Sequence, residues 1–240
     1  MDMSLSASSS LTELIRRDVI AGVFPFGARL RIHDLADRYG VSPMPVREAL
    51  RELRGSGLVL IERHCGARVR EVDRRFVENV FDIRSAIETM LARRAAERCT
   101  PAHLGQLRLA QDRLEQQVAA GDAPAVLAAN RDFHDVINAA ADNPEAVHVA
   151  GEHWLILAAL WGRFGYREAR FAGVVSDHRH LMAALAAHDA DVAAALMCAH
   201  VAKARQDLLL QMRQAEAAAE AEAVPTPRRR VAAPSRGEAR

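Results

Sequence analysis

Residues 41–54 read VSPMPVREALRELR, and this stretch decides how the rest of the chain is interpreted. Its apolar residues recur at i, i+3, i+4 and i+7 and predict one buried helical stripe: Val46, Ala49, Leu50 and Leu53. Its arginines recur at i, i+4 and i+7 and predict a second, neighbouring stripe: Arg47, Arg51 and Arg54. Ser42 suits the N-cap of this helix, and a proline directly after it suits the first helical position. The stretch therefore predicts a helix that buries one side and presents arginines on another, as a recognition helix in a major groove does.

An ordinary surface helix, with its arginines paired to Glu48 and Glu52, is the alternative interpretation of this stretch. The neighbouring residues favour the first interpretation. An amphipathic helix is predicted over residues 11–21, and a second short helix over about 33–39. Gly40 and the residue after it form a tight turn into the arginine-bearing helix. Two short helices joined by such a turn match the helix-turn-helix pattern.

A β-hairpin is predicted directly behind this helix, with strands at 58–61 and 69–72. The turn between them, residues 62–68, is polar and basic and contains a glycine. A hairpin in this position is a wing, and its tip can reach the adjacent minor groove. The candidate contacts at the tip are Arg63, His64 and Arg68.

Composition limits the possible classes of protein only broadly. The chain has 240 residues, a net charge of +1 at pH 7, 50% hydrophobic residues and 5% aromatic residues. These values allow two domains and exclude a wholly basic chain, but not a local basic face. The three cysteines are scattered and predict neither a disulfide framework nor a metal site. The start of the chain is polar, and no apolar run is long enough to span a bilayer, so we expect a cytoplasmic protein with no membrane partner.

The pattern becomes helical almost without interruption from residue 73 onward. Six helices with short connections are predicted over residues 73–215, the fourth at about 144–165 and the fifth at about 174–187, which is an α-helical bundle. Residues 1–10 and 216–240 are predicted to be disordered tails because of their biased, mostly polar composition. The predicted fold is therefore mostly α. A winged helix-turn-helix of three helices and a hairpin, over residues 11–72, precedes an all-α bundle.

Histidines are the distinctive feature of this predicted bundle. Asn130 and His134 stand at i and i+4 on its third helix, so they face the same way. His178 lies on the fifth helix and His200 on the sixth. Three imidazoles and one oxygen donor from three helices can converge on a divalent metal. The spacing alone leaves open that these residues are ordinary polar side chains.

Residues 11–70 resemble the winged-helix domain of the GntR family of bacterial transcription regulators. The resemblance is carried by residues 19–22, 25, 27, 34–36, 40–42, 45–50, 53 and 57–59. It implies that Arg47 and Arg51 contact DNA and that Gly66 permits the bend at the wing tip. Pro43 departs from the family pattern, which usually has there an arginine that reads a base. The usual operator of the family is therefore not assumed.

Residues 73–215 resemble the FCD effector domain, the all-helical partner of this winged helix in the FadR-like branch of the family. The resemblance is carried by Arg84 with Glu88, by residues 130–134, by residues 177–179 with 185, and by His200. Many such domains hold a metal with an aspartate or asparagine and three histidines. Carried onto this chain, the implied ligands of a divalent metal, Zn²⁺ or Ni²⁺, are Asn130, His134, His178 and His200.

In this family the metal helps to hold a small carboxylate effector, so the resemblance also implies an effector pocket. Arg84 is a candidate to pair with the carboxylate. The alternative for Arg84 is a salt bridge to Glu88 at i, i+4. Arg163, which has two tryptophans nearby in sequence, is a second candidate.

Two functions remain open from the sequence, beside a helical scaffold protein whose basic helix binds an acidic partner. The first is a ligand-responsive, sequence-specific regulator that forms a homodimer and places two winged helices on successive half-sites of a DNA operator. Repression is the more common mode in the family. The second is a metal-dependent hydrolase in which the three histidines activate water. The second function leaves the arginine-bearing helix unexplained.

Overall fold

The structure, a computed structural model, describes residues 3–62 and 66–223. Its first part holds three helices and three short strands: α1 Met3–Ile20, β1 Arg29–Leu30, α2 Ile32–Tyr39, α3 Pro43–Gly55, β2 Val59–Glu62 and β3 Gly66–Val69. Seven helices follow in the described part of the chain: α4 Arg74–Arg98, α5 Pro101–Ala120, α6 Ala123–Ala141, α7 Pro144–Glu152, α8 Trp154–Phe164, α9 Glu168–Ala186 and α10 Ala190–Ala223. This order confirms the predicted fold class, a winged helix-turn-helix followed by an α-helical bundle.

The helix-turn-helix is held together by the apolar stripe of α3. Val46, Ala49 and Leu53 are fully buried, and α3 packs against α1 and α2. The turn between α2 and α3 depends on Gly40, whose φ of 65° lies in the left-handed region that glycine adopts without strain. The buried stripe therefore fixes which side of α3 faces away from the protein.

The wing is a small antiparallel sheet with strand order β1-β3-β2. The hairpin register pairs Val59 with Val69 and Glu62 with Gly66. The predicted second strand was wrong in position, because β3 covers 66–69 and not 69–72. Ala67 and Val69 are buried while Arg68 between them is half-buried, so the period-two pattern is real. The basic and small residues in this pattern made it look like part of the turn.

Most helix boundaries of the bundle follow from capping residues that the sequence already shows. Thr100 forms a capping box at the start of α5, and the side chains of Asp122 and Asn143 cap α6 and α7. Two boundaries were predicted wrongly. The predicted helix over 144–165 is broken at His153 into α7 and α8, and α9 begins at Glu168 and not near 174.

The predicted disordered tails are corrected in part. Helix α1 already begins at Met3, and α10 continues to Ala223. Extending an existing helix is far easier than starting one, and alanine and glutamate are strong helix formers. Residues 1–2 and 224–240 lie outside the described residues. No described helix has the length and apolar character needed to cross a membrane.

The two parts of the chain pack together through α1 and α8. A Cβ placed on Gly162 of α8 would lie 3.3 Å from the backbone oxygen of Ile20, the last residue of α1. A Cβ placed on Gly57, which follows α3, would lie 3.8 Å from Cδ1 of Ile156 in α8. Helix α8 therefore contacts the N-terminal part at the end of α1 and just after α3, and one hydrophobic core runs through both parts.

Asp73 joins the two parts, and its loss is expected to destabilise the bundle. Its side chain accepts a hydrogen bond from the backbone N–H of Phe76 at 2.7 Å and caps α4. Asp73→Ala should lower the free energy of unfolding by about 1 kcal/mol, measured by chemical denaturation. Asp112→Ala, an exposed change inside α5, is the matched control and should change stability by less than about 0.5 kcal/mol. Equal effects of the two changes would contradict the capping role.

Candidate nucleic-acid interface and metal centre

The arginines of α3 form an exposed face with no internal partner. Arg47, Arg51 and Arg54 are all exposed, and none of them makes an ion pair with any described residue. Glu52, one of the proposed surface partners, instead accepts a hydrogen bond from the buried Oγ1 of Thr12 at 2.8 Å. The alternative interpretation of a self-paired surface helix is therefore not what the structure shows. Three guanidinium groups on one helix face are available to an external anion.

The start of α3 is also open to an external partner. Ser42 occupies the N-cap position with an extended backbone, but its side chain makes no capping hydrogen bond and is exposed. Helix N-termini have a positive dipole end, which suits phosphate, although Pro43 and Pro45 contribute no N–H groups to this one. The predicted contacts at Ser42 and along the arginine stripe therefore share one surface.

The wing is described only in part. Arg63 and His64 lie outside the described residues. Gly66 is exposed and has a φ of 84°, so it adopts the bend for which a glycine is needed. Arg68 is paired with Glu71 at 2.8 Å and is less available than the arginines of α3.

Three histidines converge inside the bundle from α6, α9 and α10. Their ligand nitrogens all lie within 4.8 Å of one another, and all three residues are buried: His134, His178 and His200. Nε2 of His134 lies 3.3 Å from Nε2 of His200. Two nitrogens bound at 2.0–2.1 Å to one tetrahedral Zn²⁺ lie about 3.3 Å apart, so the spacing fits a shared metal.

The other ring nitrogen of each histidine is held by an oxygen. Nδ1 of His134 lies 3.3 Å from Oε2 of Glu88, and Nδ1 of His200 lies 3.2 Å from Oδ2 of Asp177. Nδ1 of His178 lies 3.2 Å from Oε1 of Gln111. Metal-binding histidines almost always donate this second N–H to a carboxylate or carbonyl oxygen, which leaves Nε2 free to bind.

Several buried atoms at the site lack a hydrogen-bond partner. Among them are Nε2 of His178 and Oδ1 of Asn130. Leaving a buried polar atom unpaired costs about 1–3 kcal/mol. A divalent cation between them satisfies both atoms, so the donor set fits the implied metal: one amide oxygen and three imidazole nitrogens.

Burial sets the protonation of the site. It lowers the pKa of His200 to about 4 and the pKa of His178 well below its ordinary value. Both rings are therefore neutral at pH 7, which is the form that binds metal. Burial alone would raise the pKa of Glu88, but the Arg84 guanidinium and His134 outweigh it and hold this pKa far below its usual range.

A small cavity of about 30 Å³ lies beside the histidines. Arg84 lines it and also forms the alternative salt bridge, with Nε 2.6 Å from Oε1 of Glu88, while its pairing with an effector carboxylate stays a prediction. Arg163, the second candidate for an effector contact, does not line this cavity. Trp161 faces inward, and a residue two positions further along a helix is rotated by about 200°. Arg163 is accordingly exposed, with its guanidinium over the ring of Phe164.

Sequence analysis missed Arg170, which also lines the cavity. Its side chain is buried, and Nη2 donates a hydrogen bond to the backbone oxygen of His200 at 3.3 Å. Its Nη1 lies 3.7 Å from Oδ2 of Asp177. Arg170 and Asp177 stand at i and i+7, a spacing that indicates one helix face. The signal was lost because the predicted helix began after Arg170.

Comparisons with known proteins agree with this architecture. The pattern of the "FCD domain" matches residues 79–203, and that of "Bacterial regulatory proteins, gntR family" matches residues 7–69. A probable D-xylose utilization operon transcriptional repressor of Paenarthrobacter nicotinovorans is 28% identical over 207 residues, which is 82% of this chain and 86% of that protein. The HTH-type transcriptional repressor RspR of Escherichia coli (strain K12) is 34% identical over 110 residues, which is 46% of this chain and 47% of that protein.

Solved structures show the same fold. The structure titled "E. coli McbR/YncC" superposes with a TM-score of 0.70 at 24% identity, covering 89% of this chain and 99% of that one. The matching families and relatives are transcription regulators and not enzymes, so the hydrolase alternative has no support. The chain belongs to the GntR family of bacterial transcription regulators and carries an FCD domain as its C-terminal part.

Proposed function

We propose that this regulator is a homodimeric, sequence-specific repressor whose operator affinity responds to a small carboxylate effector held beside a divalent metal. The observation that carries the DNA-binding part is the face of three exposed, unpaired arginines on α3. A buried apolar stripe on the opposite side orients this face outward. The buried apolar stripe and the exposed arginines of α3 therefore both favour insertion of this helix into a major groove.

The proposed metal is Zn²⁺ or Ni²⁺, and the residues that would hold it are Asn130, His134, His178 and His200. A bound divalent cation supplies positive charge to which a carboxylate oxygen can bind. The protein residues orient the ligands: Glu88, Gln111 and Asp177 hold the outer histidine nitrogens. The family pattern allows aspartate or asparagine at the position of Asn130. With asparagine the site carries one negative charge less than with aspartate, which favours the binding of an anion.

Two guanidinium groups support a carboxylate as the effector. Arg84 and Arg170 both line the histidine cavity, from α4 and α9. Nε of Arg170 is buried without a hydrogen-bond partner, so this guanidinium has an N–H donor available for a ligand oxygen. A carboxylate between two arginines and a cation satisfies these donors.

The names of two relatives support repression, and the operator geometry of helix-turn-helix proteins supports a dimer. Two relatives are named as transcriptional repressors. Operators of helix-turn-helix dimers repeat their half-sites at one helical turn or a multiple of it, and the bundle is the part that can set this spacing. Helix α8 touches Ile20 at the end of α1, so a shift in the bundle is transmitted to the DNA-binding part.

Salt dependence tests the proposed mode of DNA binding. If a dimer forms at least six contacts to phosphate, its affinity for duplex DNA should fall about 10³-fold between 50 and 200 mM salt. The measurement is fluorescence anisotropy with a labelled random-sequence duplex. Arg108→Ala, an exposed change on α5, should leave the slope unchanged. An affinity that does not vary with salt would contradict an arginine-lined interface.

A further inference from the structure

A second, larger cavity lies where the bundle meets the DNA-binding part. Its volume is about 390 Å³, within the range of small-molecule pockets. Its lining includes no charged side chain. Residues of α1, α6, α8 and the connection after α8 line it, among them Ile20, Leu127, Trp154, Ala158, Trp161 and Tyr166. We call this space the junction cavity.

The junction cavity and the histidine cavity share one wall. Four side chains line both of them: Leu127, Trp154, Trp161 and Tyr166. One side of this wall carries two arginines and the histidine cluster, and the other side is apolar. The histidine cavity holds about two water molecules at its volume of 30 Å³, which suffices for an acid group but not for a larger body.

We propose that the effector is an amphipathic carboxylic acid that passes between the four shared side chains, with its acid group in the histidine cavity and an apolar body of several carbons in the junction cavity. This inference rests on the proposed function and narrows the class of its ligand. Each methylene group moved from water into the junction cavity increases affinity by about fourfold, the equivalent of about 0.8 kcal/mol. Short polar acids bind by the head group alone and lack this gain.

The same geometry places the ligand against the DNA-binding part. Ile20 is the last residue of α1, and α1 packs on the recognition helix α3. The backbone oxygen of Ile20 lies close to Gly162 of α8. A side chain at position 162 would fit only if one of the two helices shifted. An apolar group that fills the junction cavity therefore contacts both α1 and α8, and it either pushes the two helices apart or holds them together. The ligand changes the orientation of the recognition helix through contact and not through the bundle alone.

Intrinsic fluorescence tests this inference in the full-length protein. The chain has two tryptophans, and both lie in the shared wall. Acetate, butanoate, hexanoate and octanoate are titrated with and without Zn²⁺, and octanamide serves as the uncharged analogue. We expect affinity to rise about fourfold per methylene. Octanamide should bind at least about tenfold more weakly than octanoate because it lacks the charge that the arginines pair with.

Filling the junction cavity should abolish the dependence on chain length. Ala158 lines this cavity and not the histidine cavity, so Ala158→Phe should bring octanoate down to the affinity of acetate. Ala128→Phe, at an exposed position on the same lining, is the second variant in case the first does not fold. Ala186→Phe, exposed on α9 and away from both cavities, is the control and should bind like the original chain.

The outcomes separate this inference from the proposed function. Equal affinity for acetate and octanoate would overturn the amphipathic ligand and leave a small carboxylate effector in place. Equal affinity for octanoate and octanamide would also overturn it, because the acid group would then have no site. No binding of any acid, with or without Zn²⁺, would overturn both the inference and the proposed effector.

Discussion

Replacing Arg47 with alanine is expected to cost about 1–3 kcal/mol of DNA-binding free energy, or roughly five- to 150-fold in affinity. The guanidinium is exposed on α3 and has no partner among the described residues, so its removal should leave the free energy of unfolding unchanged. Arg51 lies one turn further along the same face. If the two contacts are independent, the double change Arg47→Ala with Arg51→Ala should weaken binding at least about thirtyfold. Gel-shift titration of a bound duplex measures both effects.

Arg108→Ala controls for the loss of one positive charge at a distance from α3. It is an exposed change on α5 and should shift affinity by less than about twofold, since distant surface charges are screened by salt. Thermal unfolding should show the same midpoint for all of these variants. If Arg47→Ala binds DNA as tightly as the original chain, the arginine face of α3 is not the DNA contact.

His134→Ala is expected to release the proposed metal and to leave the DNA-binding part folded. Loss of a residue that only orients a ligand costs about 10- to 100-fold in metal affinity, and loss of a ligand itself should cost more. Elemental analysis after dialysis should find about one Zn²⁺ per original chain and essentially none per His134→Ala chain.

His180→Ala is the matched control for the metal measurement. His180 is exposed on α9, and its ring does not belong to the converging cluster. This variant should retain the metal of the original chain. Retention of the metal by both variants would remove His134 from the ligand set. Loss of DNA binding by His134→Ala at a normal unfolding midpoint would show that the site acts on the recognition helix without any effector.

The recognition helix could be predicted from sequence because its determinants are local. The apolar stripe through Val46 and Leu53 repeats at the helical period, and the arginine stripe lies beside it. Capping residues such as Thr100 and Asp122 also act within one turn, so most helix starts followed from them. The early start of β3 was missed because small and basic residues alternate there as they do in a turn.

The site beside the histidines depends on contacts between distant segments, which one sequence does not reveal. Gln111 holds His178 across 67 positions, and no local pattern marks that pairing. Arg170 was missed because its helix was predicted to begin too late. The four metal candidates, by contrast, were picked out from their placement on the predicted helices, and resemblance to the FCD domain then implied that they are ligands. Their spacing along the helices was compatible with a metal site but did not require one.

Selection of binding sites from random duplex DNA by the full-length protein tests the central claim most directly. The account predicts enrichment of a sequence with two related half-sites at a fixed spacing, as expected for a dimer that inserts one α3 per half-site. The Arg47→Ala variant should fail to enrich this sequence under the same conditions. If repeated selection yields no sequence that the protein prefers over bulk competitor DNA, with or without carboxylic acids, α3 does not read DNA as described here.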